Sequence, residues 1–330
     1  MNKIDWQNYK QNNLKLIYKT ITESWCNTLP YENKLIKFLK KFSPDNLHYK
    51  LQKLRFLISG KPVMPTLEYV VTTKCTMNCK HCNTFIPYFT EKTHAKPVTF
   101  EQFKKDIDTL LKAVDYIEYF GFVGGEPMIA KDLPQMIKYA CTKKQLHHIF
   151  LATNGTFLPD ENMIKILKNK KVSVQLSDYR MVNFDNDIKV QFNEYKKIIL
   201  DNKINIELGA TENNPYFYEM PKLFVDKREP KEMQRIFKNC WGQYCNMLCD
   251  GLLTQCTISV YMSRNMELSD EIKEELVNIR EKKSSKQLRD EIIRFYAKPY
   301  SQFCNYCHTP KEYVLVPRGE QAPKDAKLPV

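Results

Sequence analysis

Leu67-Glu-Tyr-Val-Val-Thr-Thr73 runs almost directly into Cys75-Thr-Met-Asn-Cys79-Lys-His-Cys82. The first stretch is an apolar, β-branched run of strand length. The second sets three thiols on one tight loop in a C-x3-C-x2-C spacing. Three thiolates are one short of saturating a cubane iron–sulfur cluster, so a cluster held there keeps one iron open to a small molecule. Thiolates at this spacing also suit a tetrahedral zinc ion. The triplet by itself leaves both metals standing.

The surrounding chain narrows the setting. At 330 residues, with 43% hydrophobic and 12% aromatic side chains, it has enough material for one barrel-sized domain with a modest appendage. No apolar stretch reaches the ~18 residues of a membrane span, and the start Met-Asn-Lys-Ile-Asp-Trp lacks the pattern of an export signal. The expectation is therefore a soluble cytoplasmic protein, and in that setting 11 cysteines read as metal or cluster ligands rather than disulfides. The net charge of +13 favours an acidic partner: an anionic substrate, an acidic electron-donor protein, nucleic acid or a membrane surface. Much of that excess is lysine in Lys/Asn-rich stretches, a bias that by itself carries no function.

Residues 1–62 alternate apolar and basic positions at helical spacing, as in Leu51, Leu54 and Leu57, and predict a helical N-terminal extension. Its basic face suits peripheral membrane contact or, more plainly, solvent. Pro62 and Pro65 mark the boundary. From residue 63 to 238 strand and helix alternate. Strands are predicted at Tyr69–Thr73, Ile117–Val123, His148–Thr153, Val172–Ser177 and Ile204–Leu208. Helices are predicted at Phe100–Val114, Leu133–Lys143, Asn162–Asn169 and Ile188–Leu200. Repeated βα units imply a parallel sheet with helices outside, an α/β fold whose functional groups stand at the strands' C-terminal ends. No sixth strand is evident between Gly209 and Lys238. Residues 239–310 hold a cysteine-rich patch, then a charged helix about Ser269–Tyr296, then Cys304-Asn-Tyr-Cys307. Residues 311–330 read as a tail, loose from Gln321 to Lys327.

Three further motifs fall at predicted strand ends. Gly124-Gly125-Glu126-Pro127 pairs glycines, which admit close backbone approach, with a carboxylate able to accept from an ammonium group. Ala152-Thr153-Asn154-Gly155 and Ser177-Asp178-Tyr179-Arg180 put small polar groups on the same rim. The ordered series, CxxxCxxC then GGEP on the next strand, resembles the radical SAM (S-adenosylmethionine) superfamily. The resemblance implies a partial (β/α)6 TIM-like barrel. It implies a 4Fe-4S cluster on Cys75, Cys79 and Cys82, and SAM contacts from Gly124, Gly125, Glu126, Asn154, Ser177 and Arg180. The implied reaction is reductive cleavage of SAM to a 5′-deoxyadenosyl radical that abstracts hydrogen from a C–H bond, with a flavodoxin- or ferredoxin-type protein as electron donor. Against that background zinc at the triplet recedes.

Cys240, Gly251 and Cys256 form C-x10-G-x4-C, in which a short strand, a glycine turn and a returning strand bring two thiols together; Cys304 and Cys307 complete four. This is similar to the Twitch domain, a shortened SPASM domain, which implies an auxiliary 4Fe-4S cluster. A structural zinc at the same thiols is the alternative. Cys245 and Cys249 remain as candidate hydrogen donors or as inert packing. Cys26 and Cys141 read as core residues, and the histidines as structural or exposed. The resemblance points to oxidation or epimerisation of a carbohydrate-like or other small polar substrate, phosphorylated and nucleotide-linked ones included. A peptide-modifying maturase stands second. A different class, an iron–sulfur redox sensor that binds nucleic acid, would leave the three strand-end motifs without a purpose; nucleic acid is not the expected partner.

Overall fold

The computed structural model describes residues 44–180, 189–209, 216–219, 223, 228–240, 242, 245–307, 314–323 and 326–327. The expectations for most of the N-terminal extension, with Cys26, for residues 308–313 and for the last residues of the tail lie outside these.

Helix α1 (Pro44–Ser59) precedes a run of βα units: β1 (Met64–Thr72), α2 (Phe100–Ala113), β2 (Ile117–Gly124), α3 (Leu133–Thr142) and β3 (Leu146–Thr153). It continues with α4 (Glu161–Leu167), β4 (Val172–Ser177), α5 (Phe192–Asp201) and β5 (Asn205–Gly209). Local chemistry starts these helices where the pattern predicts. Thr99 caps α2 by accepting from Gln102 N, and Asp160 caps α4 by accepting from Met163 N at 2.7 Å. The five strands are parallel in the order β5-β4-β3-β2-β1. The architecture is α/β, a partial TIM-like barrel.

Alternation along β1 sets the two faces of the sheet. Leu67, Tyr69 and Val71 pack outward into the main core with Phe103, Ile107 and Leu110 of α2. Each such side chain contributes about 1.5–3 kcal/mol by leaving water. Val70 belongs to a separate cluster with Val123, Phe150, Met247 and Cys249. Thr66, Glu68, Val70 and Thr72 therefore face the lumen.

The sixth parallel strand is not between Gly209 and Lys238. It comes from the cysteine-rich patch: β7 (Met247–Cys249) lies parallel to β1 on its free edge, with Glu68 opposite Met247. Before it come β6 (Tyr216–Tyr218) and α6 (Pro230–Asn239). From β7 the chain turns through Asp250 (φ 48°) and Gly251 (φ 82°) into antiparallel β8 (Leu252–Thr254). Two successive positive φ values make the primed turn that matches the twist of a two-residue hairpin.

The predicted helix over 269–296 is corrected to three elements. After α7 (Thr257–Asn265) come α8 (Asp270–Lys273), β9 (Val277–Asn278), which pairs with β8, and α9 (Ser285–Tyr296). The missed signal is the capping box at the start of α9, where Ser284 and Gln287 satisfy each other's backbone amides. Beyond β9, Arg280 makes a two-pronged ion pair with buried Asp106 of α2, at 2.9 and 2.8 Å, and Tyr69 donates to the same carboxylate at 2.8 Å.

The reading of Gln321 onward as loose is also corrected. Strand β10 (Leu315–Pro317) pairs with β6, and Gln321 bridges to Cys79. Nothing in its sequence pattern signals this, because the pairing is with a loop more than 200 residues away.

Candidate active site

Strand β1 delivers the thiol loop to the C-terminal rim of the sheet. The loop turns on Cys82 N to Cys79 O (3.0 Å) and Phe85 N to Cys82 O (2.9 Å), while Met77 N donates to Cys75 Sγ at 3.4 Å. Cys79 is buried, and Cys75 and Cys82 are half-buried. Burial, then the proximity of the other thiols, pushes the Cys79 thiol up to about 12 and Cys75 higher still. The Cys75 and Cys79 thiols therefore hold their protons at neutral pH, and binding of a metal or cluster must displace them.

The two glycines of GGEP make one close approach possible, and it is to the chain itself. A Cβ on Gly124 (φ 142°) would lie 2.1 Å from Thr72 O, and one on Gly125 would lie 2.1 Å from Lys74 O. Bonds from Gly125 N to Thr72 O (2.8 Å) and Glu126 N to Lys74 O (2.9 Å) lock the end of β2 onto the root of the thiol loop. Glu126 is fully buried. Its carboxylate accepts from Met128 N (3.0 Å), Thr153 Oγ1 (3.0 Å) and Asn154 N (2.8 Å), yet burial outweighs these bonds and lifts it to about 7. Asn154 passes the connection on, its amide donating to Thr76 Oγ1 at 3.0 Å and Cys75 Sγ at 3.6 Å. Glu126 and Asn154 thus join the ends of β2 and β3 to the first thiol.

At the end of β4, Ser177 takes its predicted place on the rim. Arg180 folds back on Asp178, with Nη2 at 2.7 Å, and its guanidinium stacks over Phe192. Sequence reasoning passed over its neighbour. Tyr179 is half-buried and in the field of all three thiols, and it hydrogen-bonds Cys79. A second missed residue, Gln321, sends its side-chain amide to Cys79 Sγ at 3.7 Å.

With this geometry in view, residues 69–178 match the family described as "Radical SAM superfamily". Over this stretch the chain is similar to the radical SAM superfamily. Radical SAM proteins use a 4Fe-4S cluster and S-adenosylmethionine. A 7,8-dihydro-6-hydroxymethylpterin dimethyltransferase of Methanocaldococcus jannaschii is 35% identical over 106 residues, which is 31% of this chain and 20% of that protein. A GTP 3',8-cyclase of Acidothermus cellulolyticus is 29% identical over 102 residues, 30% of this chain and 27% of that protein. The chain thus spans only about a fifth to a quarter of the length of these relatives. Among solved structures, BtrN in complex with AdoMet and 2-DOIA aligns over 77% of this chain and 100% of that one, at 13% identity and a TM-score of 0.44.

The donor set at the rim is three thiols on one short loop, which suits a cubane cluster with one iron left open. Zinc, at about 2.3 Å from each sulfur, draws its thiolates to within about 4 Å of one another. A cubane offers each thiolate a separate iron and takes a wider triangle.

Cys240, Cys245, Cys256, Cys304 and Cys307 form a second group. Gly242 sits between Cys240 and Cys256: its amide donates to Cys240 Sγ at 3.2 Å, and a Cβ there would lie 3.5 Å from Cys256 Cβ. Cys256 caps α7, accepting from the backbone of Ser259. Cys304 and Cys307 lie in the field of both, and burial raises the Cys256, Cys304 and Cys307 thiols, Cys256 to about 11. Cys245 hydrogen-bonds Glu68, whose carboxyl burial lifts to about 7. Cys249 is packed among Val70, Val123, Phe150 and Val260. Cys141 packs against the main core as expected.

His148 takes the structural one of its two expected roles. His148 faces the lumen, where Nε2 meets Ser173 Oγ at 2.8 Å and Glu207 Oε1 at 3.0 Å, and Tyr119 stacks on its ring and bonds Glu207. The signal was present in the alternation of β3, which puts His148, Phe150 and Ala152 on one face. The lumen beneath the rim is therefore polar on two sides, at Glu68 and at Glu207.

Proposed function

We propose that Cys75, Cys79 and Cys82 hold the 4Fe-4S cluster, that Gly124, Gly125, Glu126, Asn154, Ser177 and Arg180 line the SAM site, and that Cys240, Cys256, Cys304 and Cys307 hold an auxiliary 4Fe-4S cluster in a Twitch/SPASM-like domain spanning about 239–310. The observation that carries the reading is the convergence of the three thiols with Glu126 and Asn154 at the ends of three adjacent strands. The cluster and SAM, when bound, supply a one-electron cleavage that delivers a 5′-deoxyadenosyl radical to a substrate C–H bond.

The chain's own residues position and shield that chemistry. The β2 glycines pin the thiol loop, and Glu126 and Asn154 fix its first thiol relative to the rim. Phe150 fills the lumen against Gly121, where a Cβ would meet its ring at 2.1 Å, and so limits solvent below the site. A small polar, carbohydrate-like substrate, to be oxidised or epimerised, is the reading that the family resemblance supports, with Glu68 as the buried lumen carboxyl beside Cys245. Of the two spare thiols, Cys245 is the better hydrogen donor. It is bonded to a lumen carboxyl, whereas Cys249, packed with Val70, Val123, Phe150 and Val260, is bonded to the Arg264 guanidinium. The net charge of +13 supports an acidic flavodoxin- or ferredoxin-type electron donor.

Anaerobic reconstitution followed by SAM and dithionite tests the reading. 5′-Deoxyadenosine and methionine are expected. Their absence from a fully iron-loaded sample would sink it. In deuterium oxide an epimerised product should carry deuterium in the wild type and lose it in Cys245→Ala, with Cys249→Ala unaffected.

A further inference from the structure

Residues 318–322 cross the thiol loop as a strap. Backbone bonds run from Lys80 N to Glu320 O (2.7 Å) and from Ala322 N to Asn78 O (2.6 Å). The Asn78 side chain donates to Ala322 O at 2.9 Å, and Lys80 pairs with Glu320 at 3.0 Å. At the strap's other end Arg318 is buried and donates to Asp178 O at 3.1 Å, so the strap also holds the end of β4. Gln321, in the middle, is used twice. Its carbonyl accepts from Asn78 N at 2.8 Å, and its amide donates to Gly319 O at 2.6 Å and towards Cys79 Sγ at 3.7 Å. Tyr179, adjacent to the carbonyl that Arg318 grips, bonds the same sulfur. Cys79, the buried member of the triplet, is thus the one served by two donors from outside the loop.

An anchor alone would need only the backbone bonds. Donors on a cluster's cysteine sulfur do something more: the reduced cluster carries one more negative charge, and N–H or O–H donors stabilise that state over the oxidised one. Burial works in the opposite direction, because it penalises the more highly charged state. We propose that Gln321 and Tyr179 are a donor pair for the Cys79 sulfur, held in place by the 318–322 strap, and that they set the reduction potential of the cluster on Cys75, Cys79 and Cys82. The assignment rests on the ligand reading given above.

Gln321→Glu separates tuning from mere anchoring. A glutamate keeps the acceptor for Asn78 N but cannot donate to sulfur, whereas Gln321→Leu loses both functions, and Tyr179→Phe removes the other donor without touching the strap. The measurement is the midpoint potential of the reconstituted full chain, followed on the reduced-cluster electron paramagnetic resonance signal that changes when SAM is added. Iron content and circular dichroism are measured alongside. The expected result is a more negative potential in all three variants, furthest in Gln321→Glu, at unchanged iron content. A wild-type potential in both Gln321→Glu and Tyr179→Phe overturns the proposal and leaves the strap a structural anchor. A different failure, wild-type chain that takes up no iron dependent on the triplet cysteines, removes the ligand reading and the proposal with it.

Discussion

At the scale of single residues, Glu126 concentrates the argument. Its three donors all come from the chain, and they hold the strand ends and the thiol loop in register. Burial nevertheless raises it from an ordinary 4.5 to about 7, so the folded protein keeps a proton that the unfolded chain releases within that window. A fold that binds the extra proton loses stability as pH rises: the contribution is whole below about 4.5, declines between 4.5 and 7, and is gone above 7. A shift of this size corresponds to about 3 kcal/mol. Urea unfolding of the cofactor-free chain at pH 5 and pH 7.5 should show that loss in the wild type and lack it in Glu126→Gln. Equal pH slopes would mean that the buried carboxyl does not titrate in this window. Gln321 and Tyr179 act at the same scale: Cys75 and Cys79 each receive a side-chain amide, from Asn154 and Gln321, and Cys79 receives a phenol besides.

At the scale of elements, the decisive contacts join segments far apart in sequence. Strand β7 extends the parallel sheet from the edge of β1, and Arg280, just past β9, is fastened to Asp106 on α2. The Asp106 carboxylate is almost wholly buried while Arg280 keeps partial exposure, with side-chain exposures of 1% and 31%. Removing the arginine strands a buried charge that has only Tyr69 and Gln102 as donors. Arg280→Ala should therefore cost about 3 kcal/mol in urea unfolding, with Arg280→Lys recovering part of it. A loss within the scatter of a surface substitution, under about 0.5 kcal/mol, would show that the C-terminal elements do not depend on this tie. Gly251 belongs to the same device, for a Cβ there would fall 2.5 Å from Arg280 Cδ.

At the scale of the whole molecule, the chain carries two groups of thiols, and their proposed contents are separable. Reconstituted chain should bind about eight irons, and a Cys240→Ala/Cys304→Ala variant about four, while still cleaving SAM. Iron analysis of both proteins checks this; loss of all iron in the variant would mean that the groups do not load independently. No helix among the described residues is long and apolar enough to cross a membrane. The sequence alone determined the local features. Apolar runs and helical periodicity placed five strands and four helices to within a few residues, and cysteine spacing with the strand-end motifs marked the rim, because strand alternation, helix capping and loop spacing are properties of neighbours in the chain. Tertiary structure decided the rest. It supplied the sixth parallel strand from the cysteine patch and brought His148 and Glu207 together across the lumen. It also singled out Cys245 by its bond to Glu68, and turned a tail into a strap over Cys79. Each of these pairs residues dozens to hundreds of positions apart, and no periodicity within either segment records where the fold will bring the other.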